Sequence, residues 1–281
     1  MITINLPDNT PSGVYEIIPQ VLELPHDPVP TPAPRWPIGK GLYIWVLKNC
    51  RGGSVSGIVD ACLELKVAWV TIKVNNGPNN YNTDAKLDSI ILALKTAGIK
   101  VWGWGYEFAI LPTNEAKKAA ERIKTLGLEG YMIDIESEYK NKPNESTAFC
   151  DTLRAETDAP LGLASYRYPN MHGEIAWKTF TDICDFHNPQ VYWMGTALPQ
   201  QPSAQLRKSV IQLKAVRDIP VIPIGVASPN DNRTWFPTVA QINDFARACW
   251  EDQLPGYSYW SFQHMDAVPA WRDAIAAQTW G

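Results

Sequence analysis

The stretch 129-EGYMIDIESE-138 places Asp134 and Glu136 two residues apart inside an apolar run. Met132, Ile133 and Ile135 interleave with them, so in a strand both acids point to one side of the sheet. Two neighbouring buried carboxylates cost free energy unless partners or function compensate. The run therefore reads as a strand whose end opens onto a functional site.

Seven further runs of the same kind surround it. They are GLYIWVL (41–47), VAWVTIKV (67–74), KVWGWGYEF (100–108), LGLASYRYP (161–169), PQVYWMG (189–195), PVIPIGVAS (220–228) and GYSYWSFQ (256–263), with GYMIDIE (130–136) fourth in chain order. Helical patterns lie between them. Leu87, Ile90, Ile91 and Leu94 repeat at three and four residues before Gly98. The segment TNEAKKAAERIKTLG offers Thr113 as a cap, acids early and bases late. Thr238 followed by Gln241 forms a capping box. An open doubly wound sheet would alternate in the same way, so the count of eight carries the prediction of an α/β protein with a (β/α)8 TIM barrel.

The barrel is expected over residues 41–281. Residues 1–40 form an N-terminal extension in which 25-PHDPVPTPAPRWP-37 carries six prolines and reads as a linker or surface arm. A chain of 281 residues accommodates such a barrel, commonly about 250 residues long. A net charge of -4 without a long basic run gives no footprint for nucleic acid or an anionic membrane. No stretch approaches the ~20 apolar residues of a membrane helix. The start MITINLPDNT lacks a secretory pattern, which predicts synthesis in the cytoplasm, with release to act on a cell wall left open. The oligomeric state is not legible. Cys50, Cys62, Cys150, Cys184 and Cys249 are scattered and read as reduced core residues.

Strand parity sorts the side chains. Leu42, Ile44 and Val46 face outward in the first run and Tyr43 and Trp45 inward; Val70, Ile72 and Val74 face outward in the second and Thr71 and Lys73 inward. In the seventh, Ile222, Ile224 and Val226 are expected outside, with Pro223, Gly225 and Ala227 within. In the sixth, Gln190, Tyr192 and Met194 are placed inside. Sites of such barrels lie at the C-terminal strand ends. There Lys73, Tyr106, Asp134, Glu136, Tyr166, Arg167, Tyr192 and Trp260 converge, with His264 and Asp266 just beyond.

A close acid pair pushes its two pKa values apart, so one group stays ionised while the other holds a proton as a general acid. Glycoside cleavage needs that combination. Glu136, longer and nearer the rim, suits proton donation; Asp134, one layer deeper, suits orientation and charge stabilisation. Lys73 is a candidate counter-ion or substrate contact, and Trp45, Tyr106, Tyr166, Trp260 and Gln190 are candidate substrate-binding residues. Trp102 and Trp104 read as core or pocket wall. His172, His187 and His264 lack metal-ligand spacing and read as loop residues, so no metal is expected. No GxSxG elbow, P-loop or GxGxxG follows a strand, so no cofactor is expected.

These strand ends resemble the barrel glycosidases of N-acetylated amino sugars, especially the glycoside hydrolase family 25 lysozymes. Lys73 in WVTIKVNNG, Gly105, Tyr106 and Phe108, and the Asp134-x-Glu136 pair carry that similarity. Tyr43 stands where that family has a further aspartate. The family 18 chitinase motif is also similar to EGYMIDIE, with Glu129 and Met132 in place of two of its acids, and Tyr192 and Trp260 resemble that family's strand 6 tyrosine and strand 8 tryptophan. The resemblance implies a carbohydrate substrate, Glu136 as acid, and Asp134 with Tyr192 holding an acetamido group that attacks the anomeric carbon. Glu107, Glu138 and Asp266 are alternative acids. A non-catalytic carbohydrate-binding barrel and a metal-dependent lyase or isomerase are the competing functions.

Overall fold

The alternation closes on itself. A computed structural model describes residues 8, 9, 11, 33–84 and 86–280. The N-terminal extension therefore lies outside the described residues apart from 8, 9, 11 and 33–40, and so does most of the Pro-rich run. Residues Pro34–Gly281 form one compact unit. Its parallel strands are β1 (Gly39–Ile44), β2 (Trp69–Asn76), β3 (Lys100–Tyr106), β4 (Tyr131–Asp134), β5 (Leu161–Tyr166), β6 (Phe186–Gln190), β7 (Ile224–Val226) and β8 (Gly256–Trp260). Each pairs with the next, and β8 pairs back to β1. A two-residue antiparallel tab, Asn79–Asn80, adds to the end of β2.

Two apolar layers result. The outer one packs Leu42, Ile44, Val70, Ile72, Val74 and Ile133 under the helices. The inner one fills the barrel with Tyr43, Trp69, Trp102, Trp104, Met132 and Phe186. Glycines on neighbouring strands make room for these rings: a Cβ at Gly41 would fall 2.1 Å from the Trp69 ring, and one at Gly162 2.3 Å from Phe186. Three of the chain's 12 tryptophans, Trp69, Trp102 and Trp104, are thus barrel filling. All five cysteines are free and buried.

The helices after the first seven strands are α1 (Val55–Glu64), α2 (Leu87–Thr96), α3 (Pro112–Thr125), α4 (Pro143–Glu156), α5 (Trp177–Ile183), α6 (Gln201–Val216) and α7 (Val239–Glu251). Helix α2 buries its four periodic residues, and the Thr238–Gln241 capping box starts α7. The Thr113 cap is not formed. Helix α3 (Pro112–Thr125) begins with Pro112 at its first position, and the Glu115 carboxylate takes the N–H groups of residues 108–111 instead.

Four further expectations are corrected. The barrel starts two residues early, because Gly39 and Lys40 pair with Gly256 and Tyr257. Lys40 is buried and its Nζ donates to the Ile275 and Gln278 carbonyls at 2.6 and 2.8 Å. In β7 the parity is reversed: Ile222 and Ile224 fill the barrel, while a Cβ at Gly225 would meet Phe245 of α7 at 2.6 Å. The helix ring claims the space at the small residue. Strand β6 begins at Phe186 and ends at Gln190, leaving Tyr192 beyond it. Finally, His187 lies within β6, fully buried with Nε2 2.9 Å from the Arg217 carbonyl oxygen, and His264 lies in the short helix Phe262–Met265; of these three only His172 is a loop residue.

Candidate active site

Strand β4 ends at Asp134, which is buried, and Glu136 follows one residue past Ile135, half-exposed at the rim. From β6, Gln190 reaches across: its Nε2 donates to Asp134 Oδ1 at 3.1 Å and to Glu136 Oε1 at 2.9 Å. One amide thus joins the two acids, and the inward parity read for Asp134, Glu136 and Gln190 brings them together.

Burial holds the Asp134 carboxyl well above the usual carboxylate range, reinforced by the Glu136 charge and opposed by Lys73. Burial also raises Glu136, against the hydrogen bond from Gln190. Each charge opposes the other, so the pair retains a proton above the pH at which a solvated carboxyl would have lost it. Lys73 is buried, with its ammonium 4.7 Å from the centroid of the Tyr81 ring and 4.9 Å from that of Trp104. Its charge reaches Asp134 and Glu107 through space, so it acts as a distant counter-charge. No salt bridge among the described residues engages it.

Tyr106 donates to Glu138 at 2.6 Å, which engages one of the alternative acids. Asp266 is engaged too, in a pair with Arg51 at 2.6 Å. Glu107 points away from the mouth, accepting from Asn75 and Tyr131. Tyr192 is half-buried close to the pair: burial and then the charge of Asp134 raise its phenol well above the ordinary value, which keeps it a donor. Tyr166 lies in reach of the Glu136 charge and stacks on His172 at 3.8 Å.

Trp260 occupies the centre of the mouth, with ring centroids 5.9 Å from Tyr43, 5.7 Å from Trp45 and 5.4 Å from Trp104. Beside it a cleft of about 350 Å³ opens between Trp45, Trp260, Asn230, Asp231, Arg233 and His264. A larger groove, about 800 Å³, runs along α7, and neither cavity is lined by Asp134 or Glu136. The mouth residues that the sequence reading missed are Tyr81, Asn82 and the cleft residues Asn230 and Arg233. Asn82 Nδ2 donates to the carbonyls of Trp45 and Lys73 at 2.8 and 2.9 Å, fixing two rim segments. All four lie in loops without periodicity, and their position after strand ends was the available signal.

Tyr43 does not supply the missing strand 1 acid; its hydroxyl donates to Asn188 inside the barrel. Met132 is fully buried there as well, with Thr71 Oγ1 3.4 Å from its sulfur. Among the described residues no three His, Cys, Asp or Glu side chains group as a metal-binding set, and no helix is long and apolar enough to cross a membrane.

Solved structures share this fold. The Bacillus cereus spore cortex-lytic enzyme SleL aligns with a TM-score of 0.64 at 11% identity, covering 86% of this chain and 75% of that one. A chitinase from Chromobacterium violaceum aligns at 0.63 with 12% identity, covering 86% of this chain and 100% of the other. A chitinase from Bacteroides thetaiotaomicron gives 0.63 and 12%, covering 85% and 95%. None of these three is a family 25 lysozyme, so they lend that half of the resemblance no support. At such identities the likeness concerns the fold. No protein-family model matches the chain. In sequence, 177 residues are 26% identical to a dehydrogenase/reductase SDR family protein 7-like from Anopheles gambiae, covering 61% of this chain and 55% of that protein. The chain thus spans about half the length of that relative.

Proposed function

We propose that the protein is a glycoside hydrolase acting on a polysaccharide of N-acetylated amino sugars, with Glu136 as general acid and Asp134 assisting. The observation that carries this reading is the Gln190 amide joining two acids of raised proton affinity at a barrel rim. Trp45 and Trp260, packed on each other at the ends of their strands, offer flat faces for sugar rings to stack on. The fold shared with chitinases and a cortex-lytic enzyme supports it.

The chemistry follows the substrate-assisted route. Glu136 delivers its proton to the glycosidic oxygen as the bond from that oxygen to the anomeric carbon breaks. The acetamido oxygen of the same sugar forms a new bond to that carbon, held by Asp134 at the amide N–H and by the Tyr192 hydroxyl. Water then opens the cyclic intermediate while Glu136 takes up a proton, which restores the acid and retains configuration. This route requires no second nucleophilic carboxylate.

The test is cleavage of N-acetylglucosamine oligomers and of peptidoglycan strands, followed by mass spectrometry. Turnover by the wild type that Glu136→Gln abolishes is expected. Calorimetric sugar binding with no turnover on either substrate would replace the reading with a non-catalytic binding barrel, and activity that a chelator abolishes would point to the metal-dependent class.

A further inference from the structure

Many cations of this acidic chain are paired. Arg35 and Arg154 share Asp185, Arg51 holds Asp266, and Arg207 holds Glu251 and Asp252. After β5 two cations gather on one ring instead. The Arg167 guanidinium carbon lies 5.0 Å and the Lys208 ammonium 4.6 Å from the centroid of one ring, Tyr168. No salt bridge among the described residues engages either cation. Arg167 gives one Nη1 bond to the Tyr192 carbonyl, and its buried Nε has no partner.

A further cation lies nearby, Lys140, paired with Glu174 at 3.6 Å. Lys140 lies 6.0 Å from the centroid of the Tyr166 ring, on which His172 stacks. Burial first, then Lys140 and Arg167, disfavour the His172 imidazolium, with the Glu174 charge opposing them. A ring face stabilises a cation by only about 0.5–1 kcal/mol at an exposed site, and a second like charge on the same ring works against it. An external anion would relieve that repulsion by accepting from the Lys208 ammonium and the outer guanidinium nitrogens, donors that suit a carboxylate.

We propose that Arg167 and Lys208 form a carboxylate-binding subsite, so that the preferred glycan carries a carboxylate on a sugar near the scissile bond. This rests on the glycosidase reading and refines its substrate from a neutral to an acidic amino-sugar polymer. The shared chemistry is the sugar carboxylate, carried either by a lactyl ether on a hexosamine or by a hexuronic acid.

The experiment compares kcat/KM on peptidoglycan strands with free lactyl carboxylates, on the same strands methyl-esterified, and on oligomers alternating N-acetylhexosamine with hexuronic acid. A free-acid to ester ratio of about ten or more is expected for the wild type, falling towards one in Lys208→Gln and below one in Lys208→Glu. Preference for the strands or for the uronic oligomer identifies the source of the carboxylate. A wild-type ratio of one, or equal losses on acid and ester in Lys208→Gln, overturns the subsite. If the wild type cleaves none of them, the glycosidase reading fails, and the same ratio measured by calorimetric binding still decides the subsite. Arg167 is left unchanged because it also holds the Tyr192 carbonyl.

Discussion

Two pairs of acids surround the ends of β3 and β4, and the chain treats them oppositely. Glu115 is fully buried and accepts four backbone N–H bonds, from Phe108 and Ala109 on Oε2 and from Ile110 and Leu111 on Oε1, at 2.9 to 3.2 Å. Its neighbour Glu107, also fully buried, takes Asn75 and Tyr131 on one oxygen. Asp134 and Glu136 share a single amide nitrogen between them. A carboxylate that holds a fold together is surrounded by fixed donors, whereas one that handles substrate keeps acceptor capacity free for it. If that contrast is right, the first pair fails in stability and the second in rate.

The largest effect expected is on rate. Glu136→Gln keeps the shape and the contact with Gln190 but has no proton to deliver, and kcat should fall by about a thousandfold with the unfolding midpoint unchanged. Asp134→Asn should lose about a hundredfold, since orientation weakens while the acid remains. Single-turnover assays with circular dichroism check both. Full activity in Glu136→Gln would end the comparison, because the donor-poor acid would then have no task.

The opposite signature is expected of Glu115→Ala. Four N–H groups of one turn lose their acceptor, and a loss of about 3 kcal/mol in unfolding free energy follows, read by urea titration. Activity per folded molecule should persist. A variant as stable as the wild type would mean that water or a shifted loop satisfies that turn.

The two pairs also differ in how far the sequence discloses them. Period-two parity was enough to put Asp134, Glu136 and Gln190 on one side of their strands, and the count of eight runs brought the strands to one mouth. Parity failed at β7, where alternating aliphatic and small residues fit either face; only Phe245, twenty residues later, reserves the outer side at Gly225. Glu115 resembled any early acid in a helix, because the donors it collects belong to an irregular turn that no period encodes. Arg167 was legible as a strand-end residue, but Lys208 comes from a helix forty-one positions on, and such a meeting is set by packing rather than by pattern.

Glu107 tests the boundary between the two classes. Burial pushes its carboxyl up to about 8 from an ordinary 4.5, against the hydrogen bonds from Tyr131 and Asn75. Its Oε2 has no partner among the described residues, which suits a neutral acid. A raised folded value means that its contribution to stability is fully present below 4.5 and is lost as pH climbs through about 8. Glu107→Gln keeps the acceptor oxygen and cannot ionise. Relative to wild type it should therefore gain about 1 kcal/mol per pH unit across that window, measured by chemical unfolding at several pH values. A constant difference would show that the Glu107 proton affinity is the same folded and unfolded.

The smallest effect expected concerns the single donor of the second pair. The hydrogen bonds from Gln190 pull both acids down, against the burial that raises them. Removing the amide in Gln190→Ala leaves Asp134 and Glu136 facing each other with less compensation, so both proton affinities rise further. In its proposed role as general acid Glu136 is active while protonated, and the alkaline limb of the rate profile should therefore move to higher pH, while kcat at the optimum falls by about three- to tenfold through lost positioning. The direction is the discriminating feature: a merely structural role would lower the rate without moving the limb. A limb displaced to lower pH would mean that the amide stabilises the protonated form, and that the donor-poor acids depend on Gln190 for their proton rather than for their alignment.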